Sequence, residues 1–504
     1  MLRGLIAGIA VLLVAAPSAS ALDPVDTQAL RAAVSVNRIL RHERALQGIA
    51  FMNGGSRVAG SPGHAASVAY FRDVLATAGY RVREQEFAFP YFELRAAAVF
   101  ARTAPDQKTY VAGSDVATLE FSGAAAVTGP LIPVDLTLPP GPTANTSTSG
   151  CEEADFAGFP AGAIALVQRG TCEIDVKAAN AETAGAAGLV LFNEGTPGVP
   201  GRNGLPDVTL GRPFAIPAIA ATFAVGSELA ALAATGRVDV RLVTTTISET
   251  RTTTNLLADA PGGDASETVV VGAHLDSVPT GPGINDNGSG TATIVAIAQA
   301  MAKLQLEPRR RVRFALWSAE EQNLRGSRAY VRALAPGELA DLYAYLNFDM
   351  LGSRNFVRFV FDGDGSALPP AGPPGSAEIE AMFNAYFDDH GMATAPKAFD
   401  GRSDYVPFIA AGIPAGGLFS GAEGIKTAEQ VKAYGGTEGQ PFDPCYHQAC
   451  DVIDNLSPRA LRELGDGAAH GVLTLADSAS GLFGDEVAVV RRTAALSRFA
   501  ARSG

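Results

Sequence analysis

After residue 252 the chain alternates apolar runs of strand length with segments of helical period. Thr268-Val269-Val270-Val271-Gly272-Ala273 is a β-branched run with no polar face, as expected of a strand covered on both sides. Residues 311–317 and 344–348 read as two more strands, and 357–361 as a fourth. Helical segments at 291–304 and 326–335 separate them, and others follow at 377–389 and 458–478. Such alternation predicts an α/β fold with a mostly parallel sheet, right-handed crossovers and flanking helices. In sheets of this kind ligands bind at the C-terminal ends of the strands. That is where this chain puts His274 and Asp276, Glu320 and Glu321, and Asp349.

The rest of the chain is read around that core. Leu30, Val34, Ile39 and Leu40 recur at roughly helical spacing, a Gly-rich loop spans 53–63, a helix is expected over 65–78 and a strand over 80–87. From about 112 to 248 Gly, Ala, Pro and Thr dominate. Short β-type runs at 162–167 and 188–193 flank an Ala-rich helix at 176–187, and no ligand-rich cluster occurs. A chain of 504 residues predicts two domains, so this β-rich stretch reads as a separate, non-catalytic one. The expected organisation is a signal peptide (1–21), the first part of the catalytic domain (22–112), an inserted domain (113–248), the main catalytic part (249–480) and a solvated tail (481–504). The Pro/Gly stretch 365–375 is expected to be a surface loop.

A net charge of -13 argues against a nucleic-acid binder, which needs clustered Lys and Arg. Met1-Leu2-Arg3, an apolar stretch at 5–16 and Ala19-Ser20-Ala21 have the form of a cleavable leader, too short to span a bilayer. No later run is long and apolar enough to insert in a membrane. A secreted or periplasmic protein, monomeric, is expected. Export permits disulfides, and the four cysteines fall into two local pairs. Cys151–Cys172 and Cys445–Cys450 is the simplest pairing, with connectivity left open by the sequence.

Two imidazoles and at least four carboxylates at these positions suit a pair of divalent metals. His274 reads as a ligand and Asp276 as its support, since a carboxylate beside an imidazole fixes the tautomer. Asp286 opens a long helix and could bridge two ions; alone it reads more readily as a helix cap or turn residue. Glu320 and Glu321 repel each other unless a cation or proton intervenes, and adjacent side chains diverge. One can bind metal while the other acts as general base, which suits hydrolysis. Asp349 follows an apolar strand, and His447 sits in a loop that a Cys445–Cys450 bridge would stiffen. Carboxylates and imidazoles without thiolates favour zinc, and an incompletely closed site favours catalysis.

The segments around His274, Asp286, Glu320-Glu321, Asp349 and Tyr446-His447 resemble those of the M28 zinc aminopeptidases, in particular the secreted bacterial and vacuolar leucine aminopeptidases. The loops at 53–63, 401–405 and 416–424 resemble others of that family, and 115–245 resembles an inserted protease-associated (PA) domain, with Cys151 and Cys172 matching a disulfide of such inserts. The resemblance implies a zinc-exopeptidase fold and two zinc ions. One would be held by His274 and Asp349, the other by Glu321 and His447, with Asp286 bridging. It implies Glu320 as the base acting on a metal-bridging water, Tyr446 as donor to the oxyanion, and a cis bond between Asp286 and Asn287. The substrate implied is a peptide or protein with a free N-terminus, probed first for a large apolar, Leu-like residue. The same superfamily holds carboxypeptidases and dipeptidases whose helical dimerisation region does not fit after His447. It also holds glutaminyl cyclases, which use one zinc and carry Trp where Tyr446 stands. Receptors on this fold lose metal ligands, and none is missing here. A wall-binding module would want an aromatic platform, and Trp317 is the only Trp.

Overall fold

The computed structural model describes residues 22–483. The expected leader, 1–21, and the tail from 484 lie outside the described residues. The chain divides into two compact units, one made of residues up to Phe87 together with those from Thr253, the other of Ala88–Thr252.

The first unit is a mixed sheet between helices. Its strands run in the order Ala395–Lys397, Phe359–Phe361, Ala415–Phe419, Leu342–Asp349, Asp264–His274, Arg310–Trp317 and the end of Asp239–Asp259. The four strands from Ala415–Phe419 to Arg310–Trp317 are parallel neighbours. The strands beside this group, Phe359–Phe361 and Asp239–Asp259, run antiparallel to it. Period-two alternation divides the side chains between the two faces. Val269, Val271, Val312, Phe314 and Leu316 join the larger core under the helices. Val270, Ala315, Trp317 and Tyr345 join a second core on the opposite face. Both faces are covered, so these strands read as continuous apolar runs.

Register brings the functional ends together. Trp317 pairs with His274, and Asn347 with Gly272, so Asp349 comes level with His274 two residues on. The helix Gly290–Lys303 lies inside the larger core, with Thr291 to Ala298 all buried. Ser61 and Ser457 cap Pro62–Thr77 and Pro458–Asp477, each accepting an N–H of its first turn with Pro next in line. The expected fourth strand shortens to Phe359–Phe361, because residues 357 and 358 lie outside the ladder. The expected strand at 80–87 is the start of a much longer one, Arg81–Ala104. No helix among the described residues is long and apolar enough to cross a membrane.

The second unit has its own sheet. Ala125–Pro133, Ile164–Gln168, Gly188–Phe192 and Ala218–Ala221 run parallel in that order, and Val116–Thr118 closes the edge antiparallel. Separate apolar clusters cover the two faces. The helices Ile174–Thr183 and Phe223–Thr235 pack there, and a disulfide joins Cys151 to Cys172.

Candidate active site

His274, the last residue of its strand, is buried. Its Nδ1 lies 3.2 Å from the main-chain oxygen of Asp276. A carbonyl only accepts, so Nδ1 carries a proton, and Nε2 is the ring atom that faces the cluster. That Nε2 is 3.1 Å from Asp286 Oδ1, 3.5 Å from Asp349 Oδ1 and 3.9 Å from Glu320 Oε2. His447 Nε2 lies 3.1 Å from the other oxygen of Asp286 and 3.1 Å from Glu321 Oε2. The chain thus brings together all five expected metal ligands and Glu320. His274 Nε2, Glu321 Oε1 and Asp349 Oδ1 are buried with no hydrogen-bond partner. Donors left this way, in a set of imidazoles and carboxylates, fit divalent cations of the zinc type.

Each donor is held by groups behind it. The Asp276 carboxylate accepts the main-chain N–H groups of Glu320 and Glu321 at 3.2 and 3.4 Å, and stands 3.7 Å from His274 Nδ1. Its hydrogen bonds therefore secure the turn that carries the two glutamates, while its main-chain oxygen orients the histidine. Tyr345, Asn347 and Asp349 share one strand face. They join a relay in which Trp317 Nε1 donates to the Tyr345 hydroxyl, that hydroxyl to Asn347 Oδ1, Asn347 Nδ2 to Ser403 Oγ, and Ser403 Oγ to Asp349 Oδ2 at 2.7 Å. Asp349 Oδ1 is left for the cluster.

Asp286 sits in an irregular turn, Ile284–Ser289, and its bond to Asn287 is cis. Asp451 accepts the N–H groups of Asn285 and Asp286, and Asn287 ties the turn to Phe348 and Met350. Arg57, buried, donates to the carbonyls of Leu275, Pro282 and Gly283. It clamps the end of the His274 strand to the Asp286 turn. Ala319, Met350 and His447 all take left-handed backbone angles (φ +54°, +52° and +56°). For non-glycine residues this conformation is rare and clusters at functional sites. The Cys445–Cys450 disulfide brackets Tyr446 and His447.

The electrostatics follow from crowding. Burial alone would lower both histidines, but the surrounding carboxylates outweigh it. His274 is held well above the usual histidine range and His447 is pushed up to about 10. Burial raises Asp286 too, yet the two histidines 3.1 Å from its oxygens bring it well below the usual carboxylate range. Burial, with neighbouring negative charge, raises Glu320 far above its ordinary value and Glu321 to about 7. The cluster carries more negative charge than its histidines can balance.

Tyr446 stacks on His447 with ring centres 3.9 Å apart, and Arg402 donates to its hydroxyl oxygen at 3.1 Å. The pocket beyond the cluster is walled by Met350, Phe361, Phe419 and Ala422, with Lys397 and Asp400 paired beside them. Arg57, Ser403, Arg402 and Asp451 were not anticipated in these roles. Arg57 lies in the Gly-rich loop 53–63, and Arg402 and Ser403 in the loop 401–405, so for these only the segments carried a signal, and for Asp451 nothing did.

Residues 255–472 match peptidase family M28, and residues 127–229 match the PA domain. The chain is 44% identical over 438 residues to an aminopeptidase of Pseudomonas aeruginosa (strain UCBPP-PA14), covering 86% of this chain and 80% of that one. It is 41% identical over 333 residues to leucine aminopeptidase 2 of Trichophyton rubrum, covering 66% of each. In fold it is similar to an aminopeptidase from Aneurinibacillus sp. strain AM-1, with a TM-score of 0.61, 24% identity and 92% and 98% of the two chains covered. It is also similar to BSAP, a zinc aminopeptidase from Bacillus subtilis, with a TM-score of 0.53, 23% identity and 87% and 94% covered.

Proposed function

The chain belongs to peptidase family M28 and is a metallo-aminopeptidase, and from that premise we propose that it works with two zinc ions on peptides whose free N-terminal residue is large and apolar. The observation that carries the two-ion reading is the posture of Asp286, which turns one oxygen to each histidine at 3.1 Å. His274 and Asp349 would hold one ion, Glu321 and His447 the other, and Asp286 both. When bound, the ions would supply Lewis-acid polarisation of the scissile carbonyl and lower the pKa of water.

The remaining chemistry belongs to the side chains. Glu320 touches none of the His447 group and has its carboxylate 3.9 Å from His274 Nε2, so it stays available as the base. It would take a proton from the attacking water and return it to the leaving amine. Burial favours its protonated form, which suits that second role. Arg402 occupies a lone pair of the Tyr446 oxygen, so the Tyr446 proton points elsewhere and can meet the developing oxyanion. The substrate's α-ammonium would be held beside Glu320 and Asp349, which restricts cleavage to the chain end. Met350, Phe361 and Phe419 favour an apolar first side chain.

We further propose export, because the 1–21 segment has the form of a leader and both cysteine pairs are disulfides. The mature protein is read as a monomer with the PA-type insertion at 113–248. Purified protein should cleave Leu-nitroanilide faster than the Lys- or Glu-nitroanilides, ignore N-blocked peptide, contain two zinc per chain and lose activity on metal removal. Activity that survives complete demetallation, or that accepts blocked peptides, would overturn the reading.

A further inference from the structure

We propose that the loop after the strand Phe359–Phe361 binds one calcium ion, at a site made by Asp362, Asp364 and Glu380 and separate from the two-histidine cluster. Each of the three residues offers an oxygen, and these lie within 4.8 Å of one another. Asp362 is completely buried. Its Oδ2 accepts the N–H groups of Ala367 and Leu368, whereas its Oδ1 is buried with no partner. The oxygen of Asp362 that carries no N–H is thus left to the cluster. Among the described residues no lysine, arginine or histidine pairs with any of the three acids. A buried carboxylate oxygen without proton or cation is costly, and the cost rises when two more carboxylates stand beside it.

The loop is also held where a cation needs it. Glu380, on the helix Ser376–Asp389, accepts the N–H groups of Gly363 and Asp364 through Oε2 at 2.8 and 3.3 Å. Asp364 Oδ1 accepts the N–H of Ser366 at 2.8 Å. One carboxylate is therefore fixed on the helix, one in the interior and one on the open side of the loop. The donor set is oxygen only, with no imidazole or thiolate, which selects a hard cation over zinc. A flexible loop bearing three carboxylates suits calcium better than magnesium, which demands strict octahedral geometry.

The placement gives the ion a consequence. Asp362 directly follows Phe361, and its N–H donates to the carbonyl of Lys397 at 2.9 Å. Phe361 and Lys397 both line the candidate active site. A bound ion would therefore stiffen one wall of the substrate pocket without touching the reacting groups.

The test uses full-length mature protein, freed of metal, reloaded with zinc alone and titrated with calcium chloride. Saturating calcium should bind at one site per chain by isothermal titration and raise Tm by about 3–8 °C. KM for Leu-nitroanilide should fall, with kcat nearly unchanged. D362N should abolish the calcium-dependent rise while zinc content stays the same. D364N, at an exposed position and with an amide oxygen still able to accept the Ser366 N–H, provides the same reading if D362N folds poorly. The proposal is overturned if calcium leaves the wild-type Tm unmoved, if D364N responds like wild type, or if magnesium acts as strongly.

Discussion

At the scale of single residues, the candidate site separates carboxylates that close on a histidine from one that stands further off. Asp286 and Glu321 lie 3.1 Å from His447 Nε2, whereas Glu320 approaches only His274, and at 3.9 Å. E320Q keeps the shape of the side chain and removes its ability to accept a proton. Turnover should fall by about 10³-fold while zinc stoichiometry is unchanged. Zinc loss instead would exchange the roles of Glu320 and Glu321. Y446F should lower kcat by about 10²-fold with little change in KM, because a donor to the oxyanion acts in the transition state. An equal rise in KM would make Tyr446 a substrate-binding group. His274, Glu320, Glu321 and Asp349 stand out in the sequence because each ends an apolar run; Asp286 and His447 lie in loops without that mark. Their supports do not stand out either. Arg57 reaches Gly283, Ser403 reaches Asp349 and Asp451 reaches the N–H of Asp286 only through tertiary folding. Nothing in local spacing distinguishes those three from ordinary loop residues.

At the scale of elements, the strands and helices that carry the candidate site were read within a few residues, since two-sided burial and helical period leave plain patterns, whereas Arg81–Ala104 was read only over its start and Asp239–Asp259 not at all. The segment bracketed by Cys445 and Cys450 has no period, and its shape depends on the bridge. His447 adopts φ +56° there, and its side chain is more exposed than that of any other donor. Replacing both cysteines by serine should weaken retention of the metal that His447 is proposed to hold by about 10–100-fold, read by metal competition, and leave secondary structure intact. Unchanged retention would mean that packing alone sets the loop. The helix Pro458–Asp477 supplies a pH test well away from the metal cluster. His470 has Thr27 Oγ1 at 3.0 Å on Nδ1 and Thr474 Oγ1 at 3.4 Å on Nε2. Hydroxyls can donate or accept, so a neutral ring is satisfied on both sides. Burial first, then Arg31 and His390, lower its pKa to about 4. The folded state therefore binds the proton less readily than the unfolded one. Stability from His470 is present above about pH 6.5 and is lost as pH falls toward 4, by up to about 3 kcal/mol. Burial raises Asp466, one turn earlier, to about 6, and its contribution runs the opposite way, fading as pH rises through that value. Urea titrations of wild type and H470Q at pH 7 and pH 4.5 cancel the Asp466 term. H470Q should lose less stability than wild type between the two pH values, and equal losses would sink the argument.

At the scale of the whole molecule, the two units depend on different things. Every candidate zinc donor, from His274 to His447, belongs to the unit that resumes at Thr253, and none to Ala88–Thr252. Each unit has its own apolar clusters. Removing the proposed zinc ions would withdraw binding free energy from the first unit and leave its carboxylates with only two imidazoles beside them. The second unit keeps its clusters and its Cys151–Cys172 bridge. Trp317 is the only Trp and is fully buried in the first unit, with its indole N–H feeding the relay to Asp349. Its fluorescence therefore reports that unit alone. The sequence changes composition near 112 and 248, whereas the second unit spans Ala88–Thr252, and composition cannot say which unit a strand such as Arg81–Ala104 or Asp239–Asp259 serves. Chelation should lower the temperature at which Trp317 fluorescence changes by several degrees. A second transition in far-ultraviolet circular dichroism, carried by residues 88–252, should stay where it is. If both readouts move together by the same amount, zinc binding stabilises the chain as one cooperative block and the units do not unfold separately.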